Sequence, residues 1–269
     1  MAPQPQWEFL DRRALAALVF VDALGRPVVS PVTVRASGVR LLVKRPGEIV
    51  ITNAPGLAAH AAAFLFPPAA PAVGSLNVPL DLRPADPALG ARRFAMALPR
   101  DPNPANAGNA NSLFRAVEIP LLPTPSAAVT GLVAALRVTV TRGDDGRRVE
   151  GALVRVRPSG GRPQAVALTD AAGDALVLVP GVPLSSPGPG GTVLPDIATD
   201  LDAVIDPALV RFNAPGALLA AQATAAARTV NFIDPDDLET RLGGAAVGLQ
   251  SLRIAAGQTR TAAIAWVPP

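Results

Sequence analysis

Residues 135–157 read ALRVTVTRGDDGRRVEGALVRVR: a strand, a glycine-centred turn, then a second strand with Val154 and Val156 on alternate positions. Alternation with a period of two marks a strand buried on one face. The turn carries Gly146, a residue that reaches positive φ at no steric cost, as a tight hairpin requires. The same elements occur in the same order much earlier. Residues 17–36 read ALVFVDALGRPVVSPVTVRA, where Gly25-Arg26-Pro27-Val28 stands where Gly146-Arg147-Arg148-Val149 stands later, and Val32 and Val34 match Val154 and Val156.

The correspondence runs on beyond the hairpin. Lys44-Arg45-Pro46-Gly47 leads into the apolar run Ile49-Val50-Ile51, which ends at Ala54-Pro55-Gly56. Its later counterpart is Thr169-Asp170-Ala171-Ala172-Gly173, followed by Ala175–Val179 and ending at Pro180-Gly181. In each, a glycine turn launches a strand that a Pro-Gly pair stops, because proline lacks the amide a ladder needs. Four elements in the same order indicate an internal duplication.

Between the copies, Leu76–Leu82 and Arg92–Leu98 alternate and read as strands completing a first sandwich. Asp101–Asn111 (DPNPANAGNAN) reads as a flexible loop, and Val117–Pro125 (VEIPLLPTP) as an extended connector stiffened by three prolines. After Gly181 the run Pro183–Gly191 reads as a Pro/Gly loop. Asp196–Asp206 (DIATDLDAVID) sets Ile197, Leu201 and Val204 at helical spacing, and Pro215–Arg228 is rich in helix formers. Ser251–Val267 reads as two strands about Gly257, with Trp266 as a core anchor. The expected architecture is mainly β. Two Ig-like or transthyretin-like β-sandwich domains occupy 1–115 and 126–269, a connector occupies 116–125, and a small helical insertion lies at about 196–228 of the second domain.

Composition narrows the chemistry. Of 269 residues, 49% are apolar and only 4% aromatic, so Ala, Val and Leu build the cores. The absence of cysteine excludes disulfides, thiolate metal sites and cysteine nucleophiles. The net charge of +3 comes from arginines scattered along the chain, whereas nucleic-acid binding calls for a stripe. Met1–Arg13 contains Glu8 and Asp11 and does not read as a signal peptide. Apolar runs such as Ala14–Val21 fall well short of the roughly 20 residues that span a bilayer. A soluble cytoplasmic product without membrane insertion is expected.

The run Val149–Val156, then Leu168-Thr169-Asp170-Ala171-Ala172-Gly173, then Leu178-Val179-Pro180-Gly181 resembles the carboxypeptidase-regulatory-like repeat of the transthyretin (prealbumin-like) β-sandwich superfamily. Ala256-Gly257-Gln258-Thr259 resembles the way such repeats close. The resemblance implies a rigid spacer, adhesive unit or folding aid without catalysis. The first copy departs from it where Lys44-Arg45-Pro46-Gly47 replaces the Thr-Asp-x-x-Gly turn. Arg92–Pro99 followed by Val117–Pro125 and the second module is similar to uncharacterised proteins encoded among the parts of phage-tail-like contractile injection particles. That likeness implies an assembled component at a baseplate, cap or accessory position.

The residues capable of chemistry are few. His60 is the single histidine, in Ala58-Ala59-His60-Ala61-Ala62, and the G-x-S-x-G elbow that would accompany a serine nucleophile does not occur. Asp196, Asp200, Asp202 and Asp206 form one carboxylate group, and Asp234, Asp236 and Asp237 another. Neither has the EF-hand spacing, and helix capping or solvation accounts for both. Arg142-Gly143-Asp144 spells an integrin-type tripeptide at a hairpin tip, and Asp144-Asp145-Gly146 is turn chemistry. Phosphate-loop and dinucleotide motifs do not occur, and Gly181–Gly191 is broken by proline. We therefore expect no catalytic, cofactor-binding or metal-binding residue and no cofactor. The expected function is a non-catalytic structural or accessory component of a phage-tail-like contractile injection particle. It would contact other protein subunits or a second copy of itself, and not nucleic acid. The alternatives are an adhesion or carbohydrate-binding module, which would need exposed aromatics, and a glycosidase working with paired aspartates.

Overall fold

The computed structural model describes residues 14–63, 67–159, 164–183, 186–188, 191–193, 196–215 and 229–268. The fold is mainly β. In chain order the strands are β1 (Ala16–Val21), β2 (Val32–Arg35), β3 (Arg40–Arg45), β4 (Glu48–Asn53), β5 (Leu76–Pro84), β6 (Arg92–Leu98), β7 (Val117–Pro120), β8 (Ala134–Arg142) and β9 (Arg148–Glu150). They continue with β10 (Leu153–Pro158), β11 (Ala165–Leu168), β12 (Asp174–Val179), β13 (Ser186–Gly188), β14 (Gly191–Val193), β15 (Ile197–Val204), β16 (Arg211–Asn213), β17 (Val247–Ile254) and β18 (Thr259–Trp266). Helix α1 spans Ala58–Ala62 and α2 spans Pro235–Leu242.

The chain gathers into two compact units interleaved in sequence. One takes residues up to Val19 with Ala36–Val78 and Met96–Glu118. The other takes Phe20–Arg35, Pro79–Ala95 and Ile119 onward.

In the first unit β3, β4 and β1 lie side by side in a sheet of order β3-β4-β1-β7. Ala16 pairs with Ile51 and Val19 with Glu48, antiparallel, and β3 folds back on β4 through the positive-φ Gly47. Leu18 and Ile51 are fully buried. The Pro/Asn-rich stretch after β6, expected to be flexible, is held by its own polar groups. Arg100 donates to the carbonyls of Ala110 and Ser112, and the Asp101 carboxylate accepts from the Asn103 amide and the Asn106 side chain.

In the second unit two sheets face each other, one of order β11-β10-β15-β17 and one of order β12-β8-β9-β16 with β18 parallel to β8. Val138 and Val140 of β8, Val154 and Val156 of β10, Ala175 and Val177 of β12, and Leu201 and Ala203 of β15 meet in the core between them. Trp266 is buried there too and stacks on Phe212, with ring centroids 5.8 Å apart. The same unit holds the small sheet β2-β5-β6 and the extended run after β7, whose Leu121 and Leu122 are buried. The run 183–191, expected as loop, contains β13 and the start of β14, which pair as a two-stranded ribbon.

One expectation fails here. Asp196–Asp206 is not a helix but contains β15, paired antiparallel with β10 from Leu153↔Val204 to Pro158↔Thr199. Its Leu201 and Ala203 face the sandwich core, while Asp202 and Val204 face the opposite side. Ile197 and Leu201 satisfy a helical and an alternating pattern alike; the partners on β10 decide between them. Residues 216–228, expected to continue the helical insertion, lie outside the described residues. The helix that does form, α2, begins with Asp234 as N-cap, its carboxylate accepting from the Asp236 and Asp237 amides, and with Pro235 in the first turn. Through its Leu238, with Ile233 just ahead of it, it covers the outer face of the β10 sheet, packed on Leu153 and Val204.

The turn between β11 and β12 carries the chain from one sheet to the other. The Thr169 hydroxyl donates to the Val149 carbonyl (2.6 Å) and accepts from the Ala152 amide (2.8 Å), closing the β9–β10 corner. Asp170 accepts from the amides of Ala172 and Asp174 and tightens the turn. Gly173, at φ +72°, lies against β8, where a Cβ would stand 2.5 Å from the Val140 carbonyl oxygen. Gly146 has a similar φ of +70° but opens on free space. Gly173→Ala is therefore expected to cost about 3 kcal/mol through backbone strain and forced displacement, and Gly146→Ala only about 1 kcal/mol. Urea unfolding of the two variants beside the parent checks this difference.

Candidate interaction surface and buried arginine ties

Two arginines that alternation places on strands prove to be buried and fully engaged. Arg155 lies on β10 opposite Asp202 of β15 in the strand register, and both side chains are nearly inaccessible. Its Nε and Nη2 donate to the two Asp202 oxygens (2.7 and 2.8 Å), a bidentate pairing. Its Nη1 donates to Glu239 (2.8 Å) and to the Gly243 carbonyl (3.0 Å), which ties α2 to the sheet. Arg157 adds a second cation to Asp202. Burial alone would raise the Asp202 pKa, but the two guanidiniums outweigh it and hold the carboxyl below its ordinary value.

Arg92, on β6, is the second case. Its Nε donates to the Arg93 carbonyl (3.1 Å), Nη1 to the Pro120 carbonyl (2.9 Å) and Nη2 to Asp236 (2.6 Å). Beside it, the Arg93 amide donates to the Ile233 carbonyl and the Ala95 amide to the free oxygen of Asp234. The segment entering α2 thus covers this stretch of the β6 edge, and Asp234 serves helix and strand at once.

The carboxylates singled out from the sequence are dispersed rather than gathered. On β15 and its ends, Asp196 pairs with Arg253, Asp200 accepts from Ser251, Asp202 binds Arg155 and Arg157, and Asp206 pairs with Arg241. Capping accounts for Asp234, whereas the group at 196–206 is explained by ion pairs and a hydrogen bond to neighbouring strands and to α2. Among the described residues no group of three or more His, Asp or Glu is arranged to hold a metal ion. His60 sits in α1, its Nδ1 buried and without a hydrogen-bond partner. The Arg142-Gly143-Asp144 tripeptide is folded upon itself. Arg142 pairs with Asp144 at 2.6 Å and lies over the Phe212 ring, and the Gly143 amide donates to the Trp266 carbonyl. No described helix is long and apolar enough to cross a membrane.

Two open grooves of about 270 Å³ each lie in the second unit. One is lined by Gly90, Pro123, Pro125, Glu150, Asp170 and Asn231, and Glu150 within it accepts from Asn213. The other is bounded by Asp22 and Arg26, which pair with each other, and by Val29, Ala127 and Leu178.

An exposed apolar strand lies in the first unit. β3 is the terminal strand of its sheet, and both faces are open: Leu42 is 40% exposed and its neighbour Val43 65%. Its counterpart in the second copy, β11, is also terminal, yet Ala165 and Ala167 face the sandwich core and Val166 and Leu168 pack beneath α2. The difference traces to the turn. Lys44-Arg45-Pro46-Gly47 makes a hairpin in which Lys44 and Arg45 both pair with Glu48, so β3 stays in plane beside β4. Alternation alone could not reveal this surface; the missing Thr-Asp-x-x-Gly turn was the signal.

In comparisons with family models, curated proteins and solved structures, nothing matches this chain.

The Asp202 pair carries a pH dependence. A carboxyl whose folded pKa lies below its unfolded value stabilises above the unfolded value, near 4, and loses that contribution as pH falls toward the folded one. Asp202→Asn is expected to lower stability by about 3–5 kcal/mol at pH 7, because Arg155 is left buried beside a neutral group. It is also expected to flatten the loss as pH falls below the ordinary carboxylate range, because the group with the lowered folded pKa is gone. Denaturant midpoints measured across that range check both.

Proposed function

We propose that this chain is a non-catalytic structural or accessory protein of a phage-tail-like contractile injection particle, built on transthyretin-like modules and working through contacts with other protein subunits. The observation that carries the reading is β3, a terminal strand with Leu42 and Val43 open to solvent. Exposed edge strands are what proteins normally cover or blunt, so one left bare with apolar side chains favours a partner. The disposition of the ionisable groups supports the same reading. Arg92, Arg155, Asp202 and Asp234 are spent holding strands and helix together, as befits a rigid spacer. The likeness of Arg92–Pro99 and Val117–Pro125 to uncharacterised proteins encoded with contractile particles points to the assembly in question, with formation in the cytoplasm before any release.

Mass spectrometry of particles purified from the native host tests the proposal. The chain is expected in fixed stoichiometry with sheath, tube and baseplate proteins. The double variant Leu42→Glu, Val43→Glu is expected to leave the isolated chain folded and to lower its share of the particle at least about 10-fold, since two charges would enter an apolar contact. Absence of the parent chain from the particle, or turnover of a substrate abolished by Asp196→Asn, would overturn it.

A further inference from the structure

We infer that β3 receives an extended segment of a partner protein by strand addition, and that this segment bears acidic residues on either side of an apolar centre. The inference rests on the proposed contact function and names the chemistry of its partner. A terminal strand offers its outward amides and carbonyls to a further strand, while side chains on alternate faces select it. In β3 the centre is apolar on both faces, Leu42 on one and Val43 on the other.

Its ends are cationic. Between Ala36 and Asn53 the chain carries Arg40, Lys44 and Arg45 against one carboxylate, Glu48. Glu48 already takes both Lys44 (3.1 Å) and Arg45 (2.7 Å), and Arg40 has no ion-pair partner among the described residues. A second copy of β3 laid antiparallel would set Arg40 near the other copy's Lys44 and Arg45, and like charges across strands repel. The charges that keep two copies apart admit a strand with acidic ends, which places a partner protein at this edge.

Three labelled strand-forming peptides test this by fluorescence anisotropy against the full chain. One has glutamate ends around a valine–isoleucine centre, one has lysine ends, and one repeats the first with alternate amides N-methylated. The glutamate-ended peptide is expected to bind at least about 10-fold more tightly than the lysine-ended one, with a preference that shrinks in high salt. N-methylation is expected to remove most of that binding, and Arg40→Glu, an exposed change, to narrow the preference several-fold. Absence of binding, equal binding of the two charge types, or undiminished binding after N-methylation overturns the inference. A concentration-dependent dimer in sedimentation that V43E dissolves also overturns it and assigns the edge to a second copy. If the L42E, V43E chain is lost from the particle while the peptides show no acidic preference, the contact function stands and this inference falls. If that variant is retained at parental stoichiometry, both fall.

Discussion

A chain that leaves one sheet and enters the facing one must satisfy the amides and carbonyls it abandons at the crossing, because buried unpaired groups cost about 1–3 kcal/mol each. In the second unit one side chain meets this demand. The buried Thr169 hydroxyl bonds the Val149 carbonyl and the Ala152 amide, while Gly173 allows the chain to pass against β8. With the corner closed, β11 lies in one sheet and β12 in the other, and the core of alternating valines and alanines fills the space between. The Thr169-Asp170-Ala171-Ala172-Gly173 run is thus explained by backbone accounting.

The first copy lacks that device, and the consequence is visible in its topology. Lys44-Arg45-Pro46-Gly47 can make a hairpin but has no hydroxyl to anchor a crossing, so β3 remains beside β4 with both faces open. The second copy, in turn, acquires α2 as a cover on its outer face. That cover requires Arg155 to be buried, and its guanidinium is held by Asp202, Glu239 and the Gly243 carbonyl. The second unit is closed by a helix, whereas the first unit leaves the β3 edge open.

Much of this was legible in the residues. The positive-φ turns at Gly25 and Gly146, the strands at 92–98 and on either side of Gly257, and the buried Trp266 follow from alternation and turn chemistry, which are local; the strands read after those turns, β2 and β10, pair instead with β5 and with β11 and β15. What was not legible depended on distant partners. The segment 197–204 satisfies helical spacing as well as alternation, and it becomes a strand because Asp202 finds Arg155 across the sheet. The burial of the arginines at 92 and 155 shows only once α2 is placed beside them. α2 itself left a signal, Asp234 before Pro235, that acquires meaning only with the strand amide of Ala95 beside it. The open edge of β3 was foreshadowed by the departure from the second copy's turn.

The most direct test of the crossing is amide hydrogen exchange at Ala152 in Thr169→Ser and Thr169→Val. Serine keeps the hydroxyl, so the Ala152 amide should stay protected. Valine keeps the shape and leaves two buried groups unpaired, so protection should fall by on the order of 10-fold or more with a loss of about 1–3 kcal/mol in stability. Equal protection in the valine variant and the parent would contradict the account.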